Sequence, residues 1–280
     1  MNKNVVSRKK SRRALIIVLI IVILLVGSVF GLTYFGRKAA GELLSQKLSE
    51  PLDGASSAKV TIDPGDGNLT IDKSTGADQM LASGTVQYFE KIGVPVSSVT
   101  TSKGFTTYSL KANGGQPWLK LPWSSCNGGT EWSIHLNPSV AYDITALTDG
   151  GMVKIDLTGL LVTHLSAETG GGNMEIVLPD DAANLDATVK TGAGKVTIHV
   201  GSRITGSNTI NASSGYGEMN VLVPGGVEAR IKVTQGNVVV DSTFTKIDDS
   251  TYETPGYQNA TNKVEISVGS GAGNVNVNRK

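Results

Sequence analysis

Apolar residues along this chain recur in a short pattern built around glycine. A Gly is followed two and four positions later by apolar residues, and preceded seven and five positions earlier by another apolar pair. Around Gly67 the four are Val60, Ile62, Leu69 and Ile71, and around Gly151 they are Ile144, Ala146, Val153 and Ile155. Gly172 has Leu165, Ala167, Met174 and Ile176, while Gly194 has Ala187, Val189, Val196 and Ile198. Gly217 has Ile210, Ala212, Met219 and Val221; Gly236 has Ala229, Ile231, Val238 and Val240; Gly273 has Ile266, Val268, Val275 and Val277. From Lys59 onward no stretch carries a helical period.

A spacing of two within each pair is strand alternation, with one face buried and the other wet. The step from one pair to the next is odd, so a straight strand would place the two pairs on opposite faces. A corner at the Gly returns them to one core, and Gly tolerates the positive φ that such a corner needs. The residues between, Lys154, Asp156, Glu175, Lys195, Thr197, His199 and Asn220, then face solvent. From Gly151 to Gly236 the template glycines are 21, 22, 23 and 19 residues apart, and Gly273 lies 37 further on, with Pro255-Gly256 marking an irregular rung between. A helix-free repeat of about 20 residues predicts an all-β fold, a stack of short strands in a β-solenoid or ladder. Leu178-Pro179-Asp180-Asp181 and Val223-Pro224-Gly225-Gly226 read as turns between rungs. Residues 78–130 break the pattern, and Gly114-Gly115, Trp118, Trp123, Cys126 and Gly128-Gly129 within them read as a long loop. That break divides a β module at 58–130 from a β-repeat domain at 131–280.

The N-terminal part follows a different pattern. Ala14 to Gly36 holds 18 apolar residues out of 23 and no charge. A helix of that length, rising ~1.5 Å per residue, crosses a hydrocarbon core ~30 Å thick. Lys3, Arg8, Lys9, Lys10, Arg12 and Arg13 precede it, and Arg37 and Lys38 follow. The excess of basic residues on the first side predicts a cytoplasmic tail at 1–13, a transmembrane helix at 14–36 and an extracytoplasmic body. The apolar stretch is longer than a signal-peptide core, and Arg37-Lys38 stands where small residues would precede cleavage, so a signal anchor is the reading. Residues 37–57 form a juxtamembrane spacer, with a short helix bringing Leu44 and Leu48 one turn apart as the alternative.

Charge and composition narrow the function. Lys and Arg number 25 against 24 Asp and Glu, but residues 1–38 hold eight basic residues and no acid, leaving the rest at a net −7. A mildly acidic body argues against nucleic acid as a partner, since phosphate binding needs a basic stripe. A single Cys excludes an internal disulfide framework. The Gly-x-Gly pairs at Gly65/Gly67, Gly170/Gly172, Gly192/Gly194, Gly215/Gly217 and Gly271/Gly273 precede strands, whereas a dinucleotide fingerprint precedes a helix. They read as corners, and no cofactor is expected. Gly170-Gly171-Gly172-Asn173 lacks the Asp of a calcium-binding β-roll, and Asp180-Asp181 and Asp248-Asp249 read as solvated turns with calcium as the minor alternative. His135, His164 and His199 fall in separate rungs and read as surface residues, not zinc ligands. Asp156 and Glu175 would stack as a carboxylate pair only if their rungs align, which is the requirement for a glycosidase-like site. Trp118, Trp123 and Trp132 gather within fifteen residues and form either a contact patch or a plug over one end of the stack.

The run from Glu131 to Ile144 (EWSIHLNPSVAYDI), with Lys154-Ile155-Asp156-Leu157-Thr158-Gly159-Leu160 and Glu168-Thr169-Gly170-Gly171-Gly172, resembles the toast-rack, LiaF-like family of bacterial membrane-anchored β-proteins. Val60-Thr61-Ile62 with Gly65-Asp66-Gly67 is similar to the N-terminal module of some members. The resemblance covers 58–75 and 131–240, while 241–280 departs from it. It implies a β-ladder at the cell envelope, described as an adhesin or linked to cell-wall stress signalling, and it carries over no catalytic residue. The leading expectation is a non-enzymatic single-pass protein of the plasma membrane. Its partners beyond the membrane would be a cell-wall polymer, an envelope protein or a second copy of itself. An accessory regulator of an envelope-stress system, acting through a membrane partner, is the first alternative, and a carbohydrate-active β-solenoid enzyme the second.

Overall fold

The computed structural model describes residues 40–76, 79–114 and 130–280. The expected tail and span at 1–36 lie outside them. Among the described residues no helix is long and apolar enough to cross a membrane. In chain order the strands are β1 (Leu43–Pro51), β2 (Ser57–Asp66), β3 (Asn68–Lys73), β4 (Met80–Phe89), β5 (Val96–Ser102), β6 (Phe105–Lys111) and β7 (Glu131–Leu136). β8 (Ala141–Gly150), β9 (Val153–Asp156), β10 (Leu161–Thr169), β11 (Met174–Val177), β12 (Asp186–Ala193) and β13 (Val196–His199) follow. The last are β14 (Ser207–Tyr216), β15 (Met219–Val223), β16 (Glu228–Val240), β17 (Thr245–Lys246), β18 (Thr251–Glu253) and β19 (Lys263–Arg279).

Each repeat is a strand, a glycine corner and a second strand, so the stack has two walls enclosing one core. The first wall runs β5–β6–β2–β8–β10–β12–β14–β19–β16–β18–β17. The second runs β1–β4–β7–β3–β9–β11–β13–β15–β19–β16, the long strands β16 and β19 serving both walls. Pairing is parallel through the body and antiparallel only toward the ends. Of the 28 apolar template positions all are buried except Val238 and Val240, which are half-buried on the outermost rung. The returning turns add Leu157, Leu160, Leu178, Val200 and Ile204 to the same core.

The stack does not follow chain order at either end. β2 and β3 lie between the β6/β7 rung and the β8/β9 rung, and β19 lies between the β14/β15 rung and β16. Residues 57–73 are thus hydrogen-bonded into the ladder on both sides. The 37-residue gap before Gly273 is not an irregular rung. Residues 241–262 fold back over β16 as a cap, and β19 then slides in beneath. Ile231 and Val233 pair with Ile266 and Val268, two residues off the sequence template, and register shifts around Gln235 bring Val238 and Val240 back to their template partners Val275 and Val277.

The spacer and the break in the repeat both contain strands. The spacer contains β1, which pairs antiparallel with β4. Leu44 and Leu48, four residues apart, share a face in a strand as well as in a helix, and pairing with β4 decides for the strand. The break in the repeat contains β4, β5 and β6, while the loop expected around Trp118, Trp123 and Cys126 lies outside the described residues. Lys103 and Gly104, both at positive φ (51° and 77°), make the two-residue hairpin turn between β5 and β6.

Corner geometry explains the glycines. At Gly194 φ is +127°, and a Cβ added there would lie 2.1 Å from the carbonyl oxygen of Gly172 in the rung below. Gly172 stands in the same relation to Gly151 at 2.0 Å, and Gly217 to Gly194 at 2.0 Å. Beneath the corner lies a column of buried hydroxyls three positions before each Gly: Thr148, Thr169, Thr191, Ser214 and Ser270. Thr148 donates to Thr169 Oγ1 (2.8 Å), Thr169 to the Gly171 carbonyl (3.0 Å), Thr191 to the Ala193 carbonyl (3.0 Å) and Ser270 to the Gly217 carbonyl (2.9 Å). The bonds of Thr169 and Ser270 go to the corner carbonyls of Gly171 and Gly217, and that of Thr191 adds to the Gly172 N–H already given to the Ala193 carbonyl, whereas the buried Ser214 hydroxyl has no partner among the described residues.

The cap is held by charge. Arg230 lies 4.5 Å from the Tyr257 ring centroid and pairs with Glu253 (2.7 Å) and Glu265 (3.3 Å), while Lys232 reaches Glu265 at 2.7 Å. The hydrogen bond from Lys232, aided by Arg230, holds the Glu265 carboxyl below its ordinary value.

Two predictions follow from these contacts. Gly194→Ala meets both a backbone clash and a disfavoured φ, and should cost about 3 kcal/mol or more in denaturant unfolding. Gly171→Ala, with nothing within 4 Å of the new Cβ, should stay within about 1 kcal/mol of the parent. For the cap, a carboxyl whose pKa is depressed by folding contributes stability that is present above its unfolded pKa and lost as pH falls through the folded one. Melting temperature should therefore drop as pH falls below the ordinary 4.5 of Glu265, and Glu265→Gln should show a shallower drop together with a lower melting temperature at neutral pH.

Candidate functional site

Parallel pairing without slippage lines up side chains from rung to rung, and outward positions form columns across the strands. In the first wall one column is uncharged through eight consecutive strands: Ser98, Ser109, Thr61, Thr145, Ser166, Thr188, Asn211 and Ser267. All eight are exposed or half-buried. At a strand spacing of ~4.8 Å the column is roughly 34 Å long. Every member carries a hydroxyl or an amide able to donate and accept hydrogen bonds. Lys232 on β16 ends it.

The columns on either side are charged and partly paired. Lys59 reaches Asp143 at 3.4 Å on one flank, and Lys190 reaches Glu168 at 3.0 Å on the other. His164 stands between Asp143 and Asp186 on the first flank. The result is a flat polar strip whose charges largely cancel, suited to a neutral, hydrogen-bonding ligand and not to a polyanion.

The second wall is less regular. Its outward column reads Ser133, Thr70, Lys154, Glu175, Thr197, Asn220 and Asn276. Lys154, Glu175, Lys195 and Thr197 rim a shallow depression with Met152, which is 59% exposed. Lys154 faces Glu175 and Asp156 faces Val177, so the rungs do not stack Asp156 against Glu175 as a carboxylate pair. His199 faces outward as expected, 3.9 Å from Glu175, and burial together with Lys280 holds its pKa below the ordinary value. His135 pairs with Asp72 through Nδ1.

The remaining sequence candidates separate. Trp132 is a core residue of β7, 2% exposed, with its indole N–H donating to the Gln87 carbonyl at 2.9 Å. It is at an inward position of its strand and belongs to no exposed patch. Trp118, Trp123 and Cys126 lie outside the described residues. In the acidic turns Asp181 takes a bidentate Arg203 (2.7 and 3.0 Å), Asp180 accepts from Ser202, Asp248 accepts from Ser250 and Asp249 pairs with Lys246. Among the described residues no group of three or more His, Cys, Asp or Glu is placed to hold a metal ion.

The hydroxyl column escaped the sequence reading, although a signal for it was present. Six positions before six of the seven template glycines stand Thr61, Thr145, Ser166, Thr188, Asn211 and Ser267, an uncharged polar residue each time, and only Gly236 has a charge there, Arg230. Ser98 and Ser109 carry no such signal, because β5 and β6 lie outside the repeat.

A family model described as the N-terminal domain of toast_rack, DUF2154, matches residues 39–199. No curated protein matches the chain. Among solved structures the chain is similar to a "putative cell adhesion protein" from Clostridium sporogenes, with 20% identity over 85% of this chain and 100% of that one at a TM-score of 0.61. A "putative adhesin" from Bacteroides fragilis matches at 10% identity over 85% of this chain and 97% of that one, with a TM-score of 0.30. The first of these likenesses establishes a shared fold.

Proposed function

The chain belongs to the toast-rack family, and from that premise we propose that it is a non-enzymatic, membrane-anchored protein of the cell envelope. In this reading the apolar stretch at 14–36 holds it in the plasma membrane, and the β stack stands on the outer side and binds an extended, neutral wall glycan along the first wall. The observation that carries the binding part is the uncharged column from Ser98 to Ser267. A glycan in extended form repeats its rings at close to the strand spacing and presents hydroxyls at each repeat, so successive rungs meet successive sugars. The paired charges of the flanks leave little net field to attract a polyanion such as nucleic acid. The name given to the Clostridium sporogenes structure, in cell adhesion, agrees with a binding role. The anchoring part is supported by the eight basic and no acidic residues of 1–38, six of them before the apolar stretch.

Co-sedimentation of the full chain, in detergent, with purified insoluble cell-wall glycan tests the reading. The parent chain should pellet with the glycan. Thr145→Lys, Ser166→Lys and Thr188→Lys together should weaken binding about tenfold or more, a loss of about 1.4 kcal/mol, without altering the melting temperature. Equal binding by the triple variant, or none by the parent, overturns it.

A further inference from the structure

The point where the chain enters the fold carries its own surface. Residues 40–43 are clamped to the end of β4: the Lys91 N–H donates to the Ala40 carbonyl at 3.1 Å, the Glu90 N–H to the Glu42 carbonyl at 2.9 Å, and Leu43 lies opposite Phe89. The turn after β4 then runs directly into β5. Three apolar side chains on this segment and its neighbour are open to solvent: Leu43 is 44% exposed, Val94 49% and Val96 58%. Val96 lies opposite Lys111, and Lys91 is exposed beside them, as are Glu42 and Glu90. The patch is therefore apolar with a balanced charged fringe. Its apolar residues are three of the ten large hydrophobic residues exposed across the described surface, Leu43 opposite the last residue of β4 and Val94 and Val96 in and just after the turn that follows it.

Chain length fixes what can lie against this patch. Only Arg37, Lys38 and Ala39 separate Gly36, the end of the apolar stretch, from Ala40. Four residue steps reach at most about 14 Å, even fully extended. The headgroup layer on each side of a bilayer is about 5–8 Å thick, the difference between the full thickness and the hydrocarbon core shared between two faces. A fold clamped at Ala40 therefore has its entry point no more than about 6–9 Å beyond that layer, close enough for neighbouring side chains to reach it. An apolar rim with mixed charges at its border is also the composition of a surface that sits among headgroups, with its aliphatic groups toward the acyl boundary.

We propose that Leu43, Val94 and Val96 form a membrane-seating rim, which rests in the headgroup region of the same bilayer that residues 14–36 cross. The proposal rests on the anchoring reading above and adds to it a second, side-chain contact between the folded stack and the lipid surface. A single tether allows the stack to swing, whereas a tether plus a rim limits its tilt and presents the polar column at a set attitude.

The test uses the full chain reconstituted into vesicles of phosphatidylcholine and phosphatidylglycerol. In a Cys126→Ser background an environment-sensitive fluorophore is attached at Val94→Cys, and separately at Val239→Cys on β16, a residue 64% exposed at the other end of the stack. Blue-shifted emission at the Val94 site, with several-fold stronger quenching by lipid-borne than by water-borne quencher, supports the rim when the Val239 site shows the reverse. Flotation of the same samples separates the two readings. Chain that floats with its vesicles but shows an aqueous signal at Val94 overturns the rim and leaves the anchor standing, while chain that does not float overturns both. Protease resistance of each labelled variant reports that the stack is folded, and Leu43→Cys gives a second site should Val94→Cys fail that check.

Discussion

Close approach of backbone to backbone at the corners is the constraint from which the rest of the architecture derives. The Cβ position of Gly172, Gly194 and Gly217 is in each case occupied by the carbonyl oxygen of the glycine below, 2.0–2.1 Å away. Only a residue without a side chain lets one rung settle on the next at strand spacing while the backbone turns through about a right angle between the walls. Once the corners stack, both strands of every rung are brought into register with their neighbours. The inward residues then fall into columns of Ile, Val and Ala, and the outward ones into columns of Thr, Ser, Asn and paired charges. Core and polar strip are two faces of one geometric requirement. Buried Thr169, Thr191 and Ser270 belong to the same requirement, because each donates to a carbonyl at a corner.

A ladder built this way has open ends, and the chain closes them by changing its order. In a simple coil the first and last rungs would be the chain termini, where fraying costs least. Here the early segment β2/β3 and the final strand β19 are each placed one rung in, hydrogen-bonded on both sides. In the first wall the outer positions fall to β5 at one end and β17 at the other, segments with ordered chain on both sides. One end adds the antiparallel β1, β4 and β5; the other adds β17, β18 and the ion-paired cap around Arg230. These additions differ because each has a different job. The cap seals the core with a buried Glu253 and a stacked Tyr257, whereas the β1/β4 end also receives the chain from residues 1–39.

How far the sequence could be read depends on whether a feature repeats. Val60, Ile144, Ala187 and Ile266 were legible as one core position because each recurs at a fixed distance from a glycine, and burial agrees at all four. Stacking order was not legible, since β19 and β16 satisfy the same template and nothing local says which lies inside. Gly236 shows the limit most clearly. Its rung fits the template in sequence, yet bulges at Gln235 shift the pairing by two residues. β1 was missed because Leu44 and Leu48 suit helix and strand alike, and only β4, some forty residues away, settles it. Trp132 misled for a related reason. Its nearness to Trp118 and Trp123 in sequence suggested a shared surface, while strand alternation from Ile134 already placed it inward.

The polar strip was overlooked because residues of intermediate polarity attract less notice than charges or histidines, although the strip is as periodic as the core. Its chemistry argues for a ligand that is itself periodic. A single Thr or Ser on a wet face contributes little, since its hydrogen bond to a ligand replaces one to water. Eight of them on a rigid frame add up without the entropy cost of ordering a loop for each contact. A small molecule could use two or three such groups and would gain no more here than at any other patch of surface. An extended polymer can use them all, and a shift by one rung brings it to an equivalent set of partners. Such a surface therefore favours many interchangeable registers along one polymer over a single tight site, and it tolerates change at any one rung. That is the behaviour expected of a contact with a lattice of repeating units, and it sets this wall apart from the second one, where Lys154, Glu175 and His199 break the repeat.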